Sequence, residues 1–125
     1  MGPVETAVRR AVREGDILRT PLQAAAFSVG KLSGEGIVLE LGEKRTPTSL
    51  KWACLEGVLP LVQRHGRLRI NGSGKSTEIV EGTLDGYLKQ HVKRLTAGWV
   101  AALLEKAGVV TIDRKPPAYI SAAIR

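Results

Sequence analysis

The stretch from Asn71 to Thr77 reads NGSGKST, the second half of a phosphate-binding P-loop. In the full motif, backbone N–H groups wrap the phosphates and the lysine, here Lys75, reaches them. That wrapping needs a glycine five residues before Gly74, and Arg69 stands there. The loop should also open a helix, whereas Thr77 to Gly82 is β-branched and ends in glycine. Nor does the chain alternate strands and helices in the way that builds the parallel sheet under such a loop. Nucleotide hydrolysis is not expected.

Asp113-Arg114-Lys115, after the apolar run from Val109, resembles the Asp/Glu-x-Lys signature of a nuclease superfamily. There the acid would hold a divalent metal and the lysine would position a water. The only tempting upstream partner is Asp85, at a helix start where a negative charge already suits the dipole. Asp113 therefore reads as a strand-end residue and Lys115 as a loop cation. His65 and His91 have no carboxylate partner at fixed spacing, and Cys54 is the only cysteine. A structural zinc site, a cofactor and a catalytic constellation are all unexpected, and the chain does not read as an enzyme. One cysteine forbids an intrachain disulfide and fits a reducing compartment.

The whole chain of 125 residues is 43% apolar and 25% charged, which suits one soluble globular domain or a small domain with an arm. Its 19 Lys and Arg against 12 Asp and Glu leave a net charge of +7, compatible with a polyanionic partner. No stretch approaches a membrane span, and MGPVETAVRR lacks the apolar core of a signal peptide. A cytoplasmic protein is expected, nucleoid-associated if bacterial, with no membrane partner.

The elements that must position these residues follow from spacing. Val4, Ala7, Val8, Ala11 and Val12 give an amphipathic helix from Pro3 to Glu14, with Arg9, Arg10 and Arg13 on its other side. Ala26 to Leu32 and Ile37 to Leu41 read as a hairpin around Ser33-Gly34-Glu35-Gly36. Thr48 or Ser49 is expected to cap a helix running to Arg64, broken near Gly57 because Pro60 cannot donate. Arg67 to Ile70 alternates as a half-buried strand, and Thr77 to Val80 reads as a returning one. Thr83 starts a short helix. Thr96 caps a second, which carries Leu95, Val100, Leu103, Leu104 and Ala107 on one side and closes at Gly108. Val109 to Ile112 and Ala118 to Ser121 are strands around the basic loop Arg114-Lys115-Pro116-Pro117.

Leu95-Thr96, Val100 and then Leu103-Leu104-Glu105-Lys106-Ala107-Gly108-Val109-Val110 resemble the end of a winged-helix domain. In that superfamily a recognition helix runs into a Leu-Glu-x-x-Gly-Leu-Val turn and a β-wing. The resemblance covers the last third of the chain. It implies an α+β, winged-helix-type domain at 48–125, with residues 1–47 a helix and β-hairpin extension. It also implies non-catalytic binding of duplex DNA. Lys89, His91, Lys93 and Arg94 would meet phosphates beside the helix–turn–helix, Thr96 would open the recognition helix, and Arg114 and Lys115 would form the wing tip. Arg67, Arg69 and Lys75 form the densest basic region outside that third.

The helix itself departs from the pattern. Its outward positions are Ala97, Gly98, Trp99, Ala101, Ala102 and Glu105, none of which reads base edges bidentately. Trp99 could touch a methyl group, stack on an unpaired base, pack in the core or meet a second copy. Specificity set outside this helix, for modified or structured DNA, fits that distribution. The alternative is a winged-helix protein-interaction module, in which Trp99 and the alanine-rich face pack on a partner protein or in a homodimer. A metal-dependent nuclease is the third class.

Overall fold

The computed structural model describes residues 1–75, 77–92 and 94–123. Among these residues, twelve elements form a small mixed α+β domain with two antiparallel sheets. The first helix, α1 (Pro3–Ala11), uses Pro3 where a missing N–H costs nothing and buries Val4 and Val8. The side chain that satisfies its early N–H groups comes from far along the chain. Glu56 accepts from the backbone N–H of Val4 at 3.1 Å and of Glu5 at 2.8 Å. A Cβ at Gly2 would crowd the same carboxylate, so a larger residue there would have to push Glu56 off its capping position. Arg9 is likewise committed. It pairs with Glu5 at 2.8 Å, donates to the Ser33 carbonyl at 2.6 Å and lies over the Trp52 ring.

Strands β1 (Ile17–Arg19), β2 (Ala26–Leu32), β3 (Gly36–Leu41) and β4 (Thr46–Lys51) follow one another as a meander, each paired with the next. Phe27, Val29 and Leu41 turn inward as the hairpin reading expects, but in β3 it is Ile37 and Leu39 that join them, and Val38, expected in the core, lies on the other face and is only half-buried. The helix expected from Thr48 or Ser49 begins later than its cap residues suggest. Residues 46–51 instead pair with β3 through all six positions, Thr48 and Leu50 inward, and the helix starts at Trp52. Pro47 is tolerated because β4 is an edge strand. The division expected between residues 47 and 48 thus cuts a paired strand, and one hydrophobic cluster runs through both halves.

Helices α2 (Trp52–Glu56) and α3 (Val58–His65) are separated at Gly57, with Pro60 in the first turn of α3. The Tyr87 hydroxyl packs on that break and donates to the Cys54 carbonyl at 2.7 Å. Burial pushes its pKa up to about 12, so it remains a donor across the ordinary pH range. Next come β5 (Arg67–Arg69), α4 (Leu84–Lys89), α5 (Ala97–Lys106), β6 (Val110–Asp113) and β7 (Tyr119–Ala122). The last strand lies between the other two, in the order β5-β7-β6. Residues 77–80 form no strand.

Helix α5 is the element on which the two halves meet. Ala97, Val100, Ala101, Ala102, Leu103 and Leu104 are all buried, and the helix touches α1, β1, α4 and β6. The positions expected to face outward are largely covered, with Ala101 at 0% and Ala102 at 6% exposure. A helix apolar on nearly every side needs cover on nearly every side, and the N-terminal extension supplies it.

If Glu56 is the remote cap of α1, then Glu56→Ala should lower stability by about 1–2 kcal/mol, because two charge-assisted bonds and a favourable dipole contact disappear together. Urea denaturation measures this. An unchanged midpoint would mean that α1 is held by its apolar face alone.

Candidate nucleic-acid interface

Pairing in the three-stranded sheet decides which cations share a surface. Leu68 faces Ile120 across β5 and β7, and Ile120 faces Ile112 across β7 and β6, all on the core side. By strand alternation the outer side carries two rows, Arg69–Tyr119–Asp113 and Arg67–Ser121–Thr111. Arg67 and Arg69 are exposed, and the Arg67 guanidinium lies 4.0 Å from the centre of the Tyr119 ring. Stacking of this kind holds a guanidinium flat while leaving its edge N–H groups free to bond.

The loop after β6 continues the row that contains Arg69. Lys115 is exposed, and its backbone N–H donates to the Asp113 carboxylate at 3.0 Å. Arg114 is exposed too, but it is not a free wing-tip cation. Both of its terminal nitrogens bond Glu105 of α5, at 2.7 and 2.6 Å. The bond from Arg114 holds the Glu105 carboxyl below its ordinary 4.5. This tie is therefore complete above the usual glutamate range and is lost as pH falls through the lowered value. With side chains one-third to one-half exposed, it is worth under about 1 kcal/mol.

The remaining expected contacts scatter. His91 is exposed and lies against Tyr87, with ring centres 4.8 Å apart. Arg94 is exposed but donates to Thr48 Oγ1 at 3.2 Å, which ties it to β4. Lys93 lies outside the described residues. Lys75 is exposed after Gly74, in a segment that opens no helix. Thr96 is buried, and its hydroxyl makes no capping bond. It opens α5 through its carbonyl alone, which accepts from Val100.

Lys89 requires the largest correction, because it is 7% exposed and faces inward. Its ammonium pairs with Asp85 at 2.7 Å and donates to the carbonyls of Ser73 at 2.9 Å and Glu78 at 2.8 Å. Those bonds use its donor capacity, so nothing is left for a phosphate. The Asp85 contact balances both charges in the interior. With Asp85 committed to Lys89 and Asp113 to the Lys115 N–H, the two carboxylates considered for a metal have other roles.

Two features were not singled out from sequence. Tyr119 follows from the hairpin pairing together with alternation, which puts it opposite Arg69 and beneath Arg67. The second is a cleft of about 330 Å³ between the β1–β2 turn, residues 70–74 and the start of α5. No helix among the described residues is long and apolar enough to cross a membrane.

Removing Lys89 should be costly. Lys89→Met would leave Asp85 buried without its counter-charge and two carbonyls without their donor, a loss of about 3–5 kcal/mol in chemical denaturation. Asp85→Leu/Lys89→Met should recover part of that loss. A single variant as stable as wild type would show that the ion pair does not hold Ser73 and Glu78 in place.

No family model matches this chain, and neither a curated protein nor a solved structure does.

Proposed function

We propose that this domain binds duplex DNA without catalysis, through phosphate contacts from the outer face of the three-stranded sheet and the loop after β6. The observation that carries the proposal is the exposed pair Arg67 and Arg69 on one face, with Arg67 stacked on Tyr119 at 4.0 Å. Two guanidiniums on a rigid strand lose little freedom on meeting phosphates, and Lys115 adds a third charge beyond the same row. The net charge of +7 favours a polyanion over a neutral partner.

We further propose that the C-terminal part is of winged-helix type. Helix α4, a turn, α5, the left-handed Gly108 (φ 74°) and the β6–β7 hairpin follow the order which the sequence resemblance implies. In this variant the recognition helix does not enter the major groove. Its alanine face is covered by α1 and β1, and its first polar side chain, Thr96, is buried. DNA is instead held on the sheet and hairpin, where contacts position the duplex without reading base edges.

Fluorescence anisotropy on duplex DNA across a salt series tests this. Arg67→Ala/Arg69→Ala should reduce the slope of log K against log salt by about 2, at roughly 0.9 for each phosphate no longer neutralised. The charge-matched Arg10→Ala/Arg13→Ala, altered at the N-terminal helix, should leave the slope near wild type. Equal effects of the two double variants would assign binding to overall charge, and no binding at low salt would sink the DNA reading.

A further inference from the structure

Among the described residues, two buried side-chain polar atoms, Thr96 Oγ1 and Trp99 Nε1, lack a hydrogen-bond partner, and a third, Asp85 Oδ2, has only the Lys89 ammonium at 2.7 Å. They are not scattered. Asp85 and Trp99 line the 330 Å³ cleft, and Thr96 sits between two other lining residues, Leu95 and Ala97. Buried polar groups are nearly always paired, so a cluster of unpaired or singly paired ones around a cavity marks a place where another molecule can supply the partners. Two lining side chains, Leu22 and Leu95, are large apolar groups left 46% and 42% exposed.

We infer that this cleft receives a nucleobase carrying an exocyclic amine beside a ring acceptor, everted from DNA bound on the neighbouring cationic surface. The inference rests on the DNA reading above for the source of the base, and on the cleft alone for its chemistry. The Trp99 indole N–H is a donor and calls for a ring acceptor. The Asp85 carboxylate is an acceptor whose charge Lys89 already balances, so it calls for a neutral N–H rather than a cation. Asp85 Oδ2 is recessed behind Gly72, whose missing Cβ would lie 2.8 Å from it. An amine projecting from a ring reaches such a recessed oxygen better than an N–H within the ring. Adenine and cytosine carry this amine–acceptor pair.

The surroundings fit a base still attached to its backbone. Arg19, Lys75 and Arg94 are each one residue from a lining position, and all three are exposed. Gly98 also lines the cleft, and a Cβ there would meet only Thr20, at 3.7 Å. A side chain at position 98 can therefore fill the cleft from a helix that tolerates it.

The two indole N–H resonances supply the test. Trp52 Nε1 donates to the Ser33 carbonyl at 2.8 Å and serves as an internal control. In ¹H–¹⁵N spectra, adenosine should shift the Trp99 indole signal and leave that of Trp52 in place. Purine riboside, the same ring without the amine, should bind about tenfold more weakly. A duplex carrying one unpaired adenine should shift the Trp99 signal and bind about tenfold more tightly than the fully paired duplex, because little pairing energy opposes eversion. Gly98→Leu should abolish that preference while keeping binding to the paired duplex.

A Trp99 signal that responds to neither adenosine nor the unpaired adenine overturns the inference, even where the paired duplex binds. A response to adenosine without one to the unpaired adenine overturns eversion and assigns the cleft to a free nucleoside. If the paired duplex also fails to bind, it is the DNA reading that falls, and the adenosine response still judges the chemistry of the cleft.

Discussion

Helix α5 is apolar on almost every side, and that single constraint organises the molecule. Val100, Leu103 and Leu104 belong to the apolar stripe legible from spacing, but Ala97, Ala101 and Ala102 are buried as well. Small residues let a second layer approach closely, and α1 and β1 provide it. The two halves of the chain are therefore one folding unit. The same constraint turns the function away from the helix, because a buried face cannot enter a DNA groove, and the exposed cations of β5 and the β6–β7 hairpin become the available surface.

A polar centre supports this arrangement next to the cleft. Asp85 and Lys89 lie one turn apart on α4, and Lys89 reaches back to hold the carbonyls of Ser73 and Glu78. The segment that looks like half a P-loop is thus held from beneath by a lysine outside the motif, and Gly72 brings its backbone close to Asp85. A buried ion pair is weak evidence for net stability, but here it fixes the position of a loop wall. Glu56 does similar work at a distance by capping α1 from α2.

Local patterns in the sequence made much of this legible. Two apolar, β-prone runs around a glycine turn located the hairpin at 26–41, alternation the strand at 67–69, and the apolar stripe and Gly108 located α5. What escaped depended on partners far along the chain. The segment from Thr46 to Lys51 carries turn and cap residues, yet pairing with β3 overrides them. Strand β1 has three residues with only Leu18 turned inward, too few to show a period. Lys89 looks solvated until Ser73 and Glu78, 16 and 11 residues away, are placed beside it. Ala101 and Ala102 are ambiguous in principle, since alanine suits an exposed helix face and a tight interface equally well. Arg67 and Tyr119 meet only because β5 pairs with the last strand, so neither alone marks the face they form.

The central claim is that α5 stays covered while DNA lies on the sheet. Amide hydrogen exchange of the free protein and of its complex with a duplex addresses it directly. Slow exchange is expected over residues 97–106 in both states, with new protection on binding a fully paired duplex at 67–69, 110–115 and 119–122. New protection within α5, accompanied by faster exchange in α1 and β1, would contradict the claim, because the N-terminal cover would then be released and the helix presented to DNA after all.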